Sequence, residues 1–181
     1  MNYVDSLKSA NLVTRYVKET DAAMWLEYCN DPIATEFTNI KGKSPEELAE
    51  VFIDFTLKRY EEHRGGLQAL IEKETGAFVG MCGLFPQEVN GEEMIEVGYH
   101  LLRRYWGKGY ATEAAQLFRD WGFENGVADT IVSIIHPDNH KSKKVAMRNG
   151  MRLIQEAAEF RGERCDLFGI SREEWMLLQA R

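Results

Sequence analysis

A strand that passes into a helix through two glycines and a cation constrains this chain more than any other feature. The stretch is Arg103-Arg104-Tyr105-Trp106-Gly107-Lys108-Gly109-Tyr110-Ala111-Thr112-Glu113-Ala114. Upstream, Met94 to Leu102 alternates, with Ile95, Val97, Tyr99 and Leu101 on one face and Glu96, Gly98, His100 and Leu102 on the other. Downstream, Ala111, Ala114, Ala115, Phe118 and Trp121 recur at helical spacing. At such a junction the first helical N–H groups have no intrahelical partner and the positive end of the helix dipole points outward, so the turn favours a bound anion. Gly107 and Gly109 let the backbone approach that anion closely, and Arg104 and Lys108 add charge. An ordinary glycine turn before a helix is the competing reading. A dinucleotide fingerprint fits less well, because Thr112 stands where its third glycine belongs.

The residues resemble a known family. Arg104-x-x-Gly107-x-Gly109-x-Ala111 is similar to the Gln/Arg-x-x-Gly-x-Gly/Ala pyrophosphate loop of the GNAT superfamily of N-acetyltransferases. The Glu-x-Gly-Tyr strand at Glu96 and the Trp106-Gly107-Lys108-Gly109-Tyr110-Ala111-Thr112-Glu113-Ala114 run resemble its RimJ/RimL-like branch. A second block, Pro137-Asp138-Asn139-His140-Lys141-Ser142-Lys143-Lys144-Val145-Ala146 followed by Asn149-Gly150-Met151, resembles that branch's Asn-x-x-Ser-x-x-Val-Ala segment and its Gly-Phe, with Met151 in place of Phe. The resemblance runs from Leu12 to about Trp175.

Length and composition agree with one domain over residues 1–181. The chain is long enough to bury a core, and no Pro/Ser/Gly-rich linker or internal repeat divides it. Its apolar runs are too short to cross a bilayer, and Met1 to Asn11 lacks the layout of a signal peptide, so a soluble cytoplasmic protein with no membrane partner is expected. A net charge of −7 disfavours nucleic acid and suits a cationic acceptor. Cys29, Cys82 and Cys165 are widely spaced and odd in number, which suggests reduced core thiols and neither a disulfide framework nor a zinc site. No metal is expected.

Along the chain, Leu12 to Val17 reads as a strand, and Thr20-Asp21 as the cap of a helix from Ala22 to Asn30 that Asp31-Pro32 ends. Ser44-Pro45-Glu46-Glu47 opens a second helix with a capping box. Its apolar stripe is Leu48, Val51, Phe52, Phe55 and Tyr60, and Gly65-Gly66 stops it. Strands near Leu67 to Glu72, Ala77 to Phe85 and Met94 to Leu102, with turns at Thr75-Gly76 and Asn90-Gly91, predict an antiparallel meander. The glycine-loop helix then leads to a strand at Thr130 to Ile135, a strand–helix–strand order that predicts a parallel crossover. A helix from about His140 to Asn149 and strands near Arg152 to Ala157 and Cys165 to Ser171 follow. The expected fold is therefore mixed α/β. The resemblance makes it GNAT-like: a mostly antiparallel sheet of about seven strands with a splayed parallel central pair, flanked by helices.

By that resemblance, the pantetheine arm of acetyl-CoA enters between the strands of Glu96 and Ser133, beside Leu101, Leu102 and Arg103, and the loop from Arg104 to Thr112 holds the pyrophosphate. An N–H near His100 faces the thioester oxygen. Asn139 holds the pantetheine or the acceptor, and Ser142 donates to the departing thiolate, unless the two serve only as helix caps. Lys141, Lys143 and Lys144 reach the 3′-phosphate, unless they form only a solvated basic face. Glu96, which interrupts an apolar strand, is the leading general base, with a structural carboxylate paired to an Arg as the alternative. His100 shares its face roughly 13 Å along the strand, too far for a dyad. His136 and His140 are alternative proton shuttles or plain surface residues.

The acceptor is expected to be a small-molecule amine or a protein N-terminus, in a pocket formed by residues between Asp21 and His63 and the segment Phe160 to Asp166. A different acyl-CoA donor, a non-catalytic acyl-CoA sensor, and a monomeric or homodimeric state all remain open at this level.

Overall fold

A computed structural model describes residues 1, 5–38 and 40–180. In chain order its elements are strand β1 (Leu12–Tyr16), helices α1 (Ala22–Cys29) and α2 (Pro45–Glu61), strands β2 (Gln68–Glu72), β3 (Phe78–Val89) and β4 (Glu92–Leu101), helix α3 (Tyr110–Glu124), strand β5 (Thr130–Ile135), helix α4 (His140–Arg148), strands β6 (Arg152–Phe160) and β7 (Glu163–Ser171), and helix α5 (Arg172–Gln179). The strands form one seven-stranded sheet in the order β1-β2-β3-β4-β5-β7-β6. Neighbours are antiparallel except β4 and β5, which run parallel as the crossover through α3 requires.

Helices cover both faces. Leu84 and Phe85 are neighbours on β3 and so point to opposite sides. Leu84 approaches Gly122 of α3, whereas Phe85 packs edge-on against Phe55 of α2 at 6.1 Å between ring centroids. Helix α1 stays with α2 through Trp25, which stacks on Tyr28 at 4.3 Å and meets Phe52 at 5.6 Å. Helix α5 joins α3 through Trp175, stacked 5.2 Å from Phe123. The main core lies along both faces of β1 to β5. A smaller one, with Val89, Val132, Ala158, Phe160, Cys165 and Leu167, gathers where the β6–β7 hairpin reaches the β3–β4 turn.

Local sequence explains most of this. Ser44 accepts the Glu47 N–H while Glu47 reaches back to the Ser44 N–H, the capping box expected for α2. Thr20-Asp21 does not cap α1. A short 3-10 turn at Glu19–Asp21 precedes it, and the Asp21 carboxylate is claimed by both guanidinium nitrogens of Arg15 (2.7 and 2.8 Å) and by the Lys18 N–H. Asp21 is buried, and a charge-assisted bidentate pair is stronger there than a cap.

Strand β3 continues past Phe85 through Pro86 to Val89, in unbroken register with β4 from Gly80↔Leu101 to Val89↔Glu92. The Leu102 N–H donates to Val79 O, so alternation turns the nitrogen of Pro86 away from β4, toward the side where β2 has already ended. Its missing N–H therefore costs no ladder bond. All three cysteines are free and buried. No helix among the described residues is long and apolar enough to cross a membrane.

Close approach of β2 and β3 depends on Gly83. An added Cβ there would lie 2.0 Å from Gly66 O and 2.9 Å from the Leu67 Cα, both backbone atoms. Gly83→Ala is expected to lower the unfolding free energy by about 1–3 kcal/mol, read by urea denaturation. An unchanged midpoint would show that the two segments part without cost.

Candidate active site

The site begins where β4 and β5 separate. They pair only at Ile95↔Ile131 and Glu96↔Val132. Two side-chain bonds take over at the fork. Ser133 Oγ donates to Val97 O at 3.1 Å, and the Ile134 N–H points at Glu96 Oε1 from 3.5 Å. Because Val97 O faces β5 and the Leu102 N–H faces β3, alternation assigns the backbone groups of Tyr99 and Leu101 to the gap. Leu101 O accepts from Trp106 Nε1 at 2.9 Å, so the amides of Tyr99 and Leu101 are the donors presented there. The N–H expected near His100 is narrowed to those of its two neighbours. The His100 residue pairs with Met81 in the β3 ladder, and the Leu102 N–H is spent on Val79 O.

At the mouth of the gap, a 3-10 turn at Arg103–Tyr105 leads to Gly107 (φ 79°) and Gly109 (φ 88°), the residue just before α3. A Cβ at either glycine would meet nothing within 4 Å, so glycine is needed for its left-handed backbone and not for room. No side chain caps α3, whereas Ser44, Asn139 and Ser171 cap α2, α4 and α5. The first-turn N–H groups of Tyr110, Ala111 and Thr112 therefore sit at the positive end of the helix dipole with no protein cap.

Side chains hold this loop from several directions. The Tyr110 hydroxyl donates to Glu72, and Glu113 accepts from the Ser9 hydroxyl and from the main-chain and side-chain nitrogens of Asn11. Lys108 lies over the Tyr105 ring at 5.0 Å, and Lys141 of α4 over Trp106 at 4.5 Å. Arg104, expected to add charge for the anion, instead pairs with Glu27 of α1, and Arg103 pairs with Asp31 at 2.5 Å. These arginines tie the loop to α1 because each finds a carboxylate on that helix or just beyond it. Lys144 is exposed, whereas Lys143 turns inward to Asp166 of β7 at 2.6 Å.

On the α2 face, Glu96 accepts from Gln87 Nε2 at 3.1 Å, and Gln87 Oε1 accepts from Arg161 Nη2 at 3.2 Å. Burial raises the Glu96 pKa above the usual carboxylate range, although the Gln87 bond opposes the shift. No Arg pairs with it among the described residues, so the alternative of a carboxylate in an Arg ion pair is removed. His100 is enclosed by Tyr28, whose hydroxyl is 3.1 Å from Nδ1, and by the Phe52 ring at 5.2 Å. Burial pushes its pKa down to about 4, leaving a neutral imidazole at pH 7. The gap is roofed on this side by the segment after α1, where Phe37 lies 5.0 Å from the His136 ring and Lys41 reaches Glu163 at 3.3 Å.

On the opposite face, Asn139 caps α4 by accepting the Ser142 N–H at 3.0 Å. Ser142 is no cap. Its hydroxyl lies 3.0 Å from the hydroxyl of Tyr99, which is also 3.1 Å from Ser142 O. Burial pushes the Tyr99 phenol up, so it stays protonated. Tyr99 was missed as a functional side chain, although it ends the Glu-x-Gly-Tyr strand in the sequence. Among the described residues, no three His, Cys, Asp or Glu side chains gather as a metal site.

A seven-stranded mixed sheet forked at one parallel pair, with an uncapped glycine loop at the mouth, defines an acyl-CoA-dependent acetyltransferase of the GNAT class, and the comparisons agree. Residues 11–152 match the acetyltransferase (GNAT) domain family, and the chain belongs to it. The chain is 32% identical over 144 residues to p20 of Bacillus licheniformis, an uncharacterized N-acetyltransferase, covering 78% of this chain and 79% of that one. It superposes on an acetyltransferase from Agrobacterium tumefaciens with a TM-score of 0.78 at 24% identity, over 94% and 96% of the two chains. RimL, a ribosomal L7/L12 alpha-N-protein acetyltransferase solved with coenzyme A, shares the fold with a TM-score of 0.72 at 16% identity, over 92% of this chain and 98% of its own. Members of the family take their acetyl group from acetyl-CoA and pass it to an amine.

The neutral His100 has a measurable consequence. Its folded pKa lies below the ordinary value of 6.5, so the unfolded chain binds the extra proton first. The stability it confers is complete above pH 6.5 and is lost as pH falls through 4. Between pH 7 and pH 5, His100→Gln is expected to lose about 2 kcal/mol less unfolding free energy than the wild type, by denaturant titration at both pH values. Equal losses would mean that His100 already carries its proton in the folded state.

Proposed function

We propose that the chain transfers an acetyl group from acetyl-CoA to a primary amine by direct attack in a ternary complex. One observation carries the reading. The fork presents the Tyr99 and Leu101 amides between the uncapped start of α3 and the Ser142 hydroxyl, with the Glu96 carboxylate on the other face of the same strand.

The first-turn amides of α3 and the Gly107–Gly109 backbone bind the pyrophosphate, with Lys108 and Lys144 as nearby cations. The strand groups of Tyr99 and Leu101 bind the pantetheine as an added strand would, and one of these N–H groups polarises the thioester carbonyl. Glu96 accepts a proton from the attacking ammonium or amine, directly or through water. Its raised pKa brings it closer to the range in which a carboxylate works as a base. As the new C–N bond forms and the C–S bond breaks, Ser142 gives its proton to the sulfur and takes one back from solvent, to which Glu96 releases the proton it accepted. The Tyr99 hydroxyl donates to the Ser142 carbonyl and lies 3.0 Å from its hydroxyl, which it orients as a positioning residue.

Thiol release from acetyl-CoA, followed over a panel of primary amines with mass detection of the acetylated product, tests this assignment. Release is expected only with an amine present. Glu96→Gln should lower kcat by about 10²-fold or more, partly recovered at higher pH, with acetyl-CoA affinity unchanged. Ser142→Ala should lower kcat without lowering the melting temperature, whereas Asn139→Ala, which removes the cap, should cost about 0.5–2 kcal/mol of stability. A wild-type rate in Glu96→Gln across pH would remove it as the base.

A further inference from the structure

Two guanidinium groups stand beside the proposed base without a carboxylate. Arg59 of α2 lies over the Phe55 ring at 4.4 Å and over Phe85 at 5.3 Å, and its Nη2 donates to Pro86 O. Arg161, in the turn between β6 and β7, lies 6.0 Å from the same Phe55 ring and 5.0 Å from Phe160. Neither has a carboxylate within 4 Å among the described residues, whereas Arg15, Arg64 and Arg103 are held by Asp21, Glu93 and Asp31. The chain carries 29 acidic residues against 22 Lys and Arg, so a carboxylate is not lacking for want of acids. Burial weighs against the charge on Arg59, and the nearby Arg64 and Arg161 add to that effect.

Their position gives the pair a use. Arg161 reaches Gln87, and Gln87 reaches Glu96, so this guanidinium and the base lie at most about 9 Å apart. Phe55 lies against both guanidinium groups, Phe85 against Arg59 and Phe160 against Arg161, so flat apolar rings back the pair. An amine that met Glu96 would extend the rest of its structure toward two planar donors suited to a carboxylate.

We infer that the acceptor is a small amine bearing a carboxylate, which Arg59 and Arg161 hold while the amine faces Glu96. The inference rests on the acetyltransferase reading and narrows it. The overall negative charge would repel such an anion at long range, so selection falls to this local pair.

Matched acids and amides separate the possibilities: glycine, β-alanine, 4-aminobutyrate and glutamate against the corresponding carboxamides, with acetyl-CoA as donor. The wild type is expected to favour the acids in kcat/KM by about tenfold or more. Arg59→Gln and Arg161→Gln should each raise KM for the acids, leave KM for acetyl-CoA in place, and change turnover of the amides little. Arg59→Lys should keep part of the preference. Equal use of acids and amides, or a preference that survives both Gln variants, would overturn the inference while leaving the acetyltransferase intact. If no amine is acetylated, the enzymatic reading fails, and calorimetry of N-acetylglycine against N-acetylglycinamide on the CoA complex decides the site. Binding of the acid alone, lost in Arg161→Gln, supports it. Equal or no binding refutes it.

Discussion

The parallel pairing of β4 with β5 stops after two residue pairs, and the rest of the molecule is arranged around that stop. A buried strand edge with unpaired amides is unfavourable unless something else meets them. The protein handles the first step itself: Ser133 caps the Val97 carbonyl and Glu96 faces the Ile134 N–H. Beyond that step the backbone groups of Tyr99 and Leu101 face the gap, the place proposed above for the pantetheine. On its other edge β5 keeps six register pairs with β7, so the strand stays in the sheet while it parts from β4.

Each function-bearing group takes its place from the fork. Alternation along β4 sends Glu96 and His100 to the α2 face and Tyr99 to the α4 face, so the proposed base and the proposed thiolate donor fall on opposite sides of one strand. The glycine loop follows immediately, so the helix dipole begins where the strand ends. Arg103 and Arg104 then tie this loop to Asp31 and Glu27. Both arginines are more than half exposed, so the ties add little stability. What they fix is the position of α1 and the segment just after it relative to the glycine loop.

Elements built from local signals were legible in the sequence. The Ser44–Glu47 box, the Asn90-Gly91 turn, the alternation of β4 and the crossover to β5 needed only nearby residues, and each stands in the structure. The Ser171–Glu174 box that opens α5 is equally local. What could not be read depended on distant partners. Arg15 takes Asp21 from its capping position, and Glu27 and Asp31 take the loop arginines. The direction of the His100 N–H is set by ladder register, which a sequence does not print. The Tyr99–Ser142 contact spans 43 positions, and the Glu96–Gln87–Arg161 chain joins two strands and the β6–β7 turn.

Backbone amide exchange tests the fork most directly. With saturating acetyl-CoA, the Tyr99 and Leu101 amides should exchange at least about tenfold more slowly than in the free protein, together with the first-turn amides of Tyr110 to Thr112. The His100 amide, already in the β3 ladder, should be slow in both states. Protection confined to the α3 loop, with Tyr99 and Leu101 unchanged, would contradict the claim that the splayed strand receives the pantetheine.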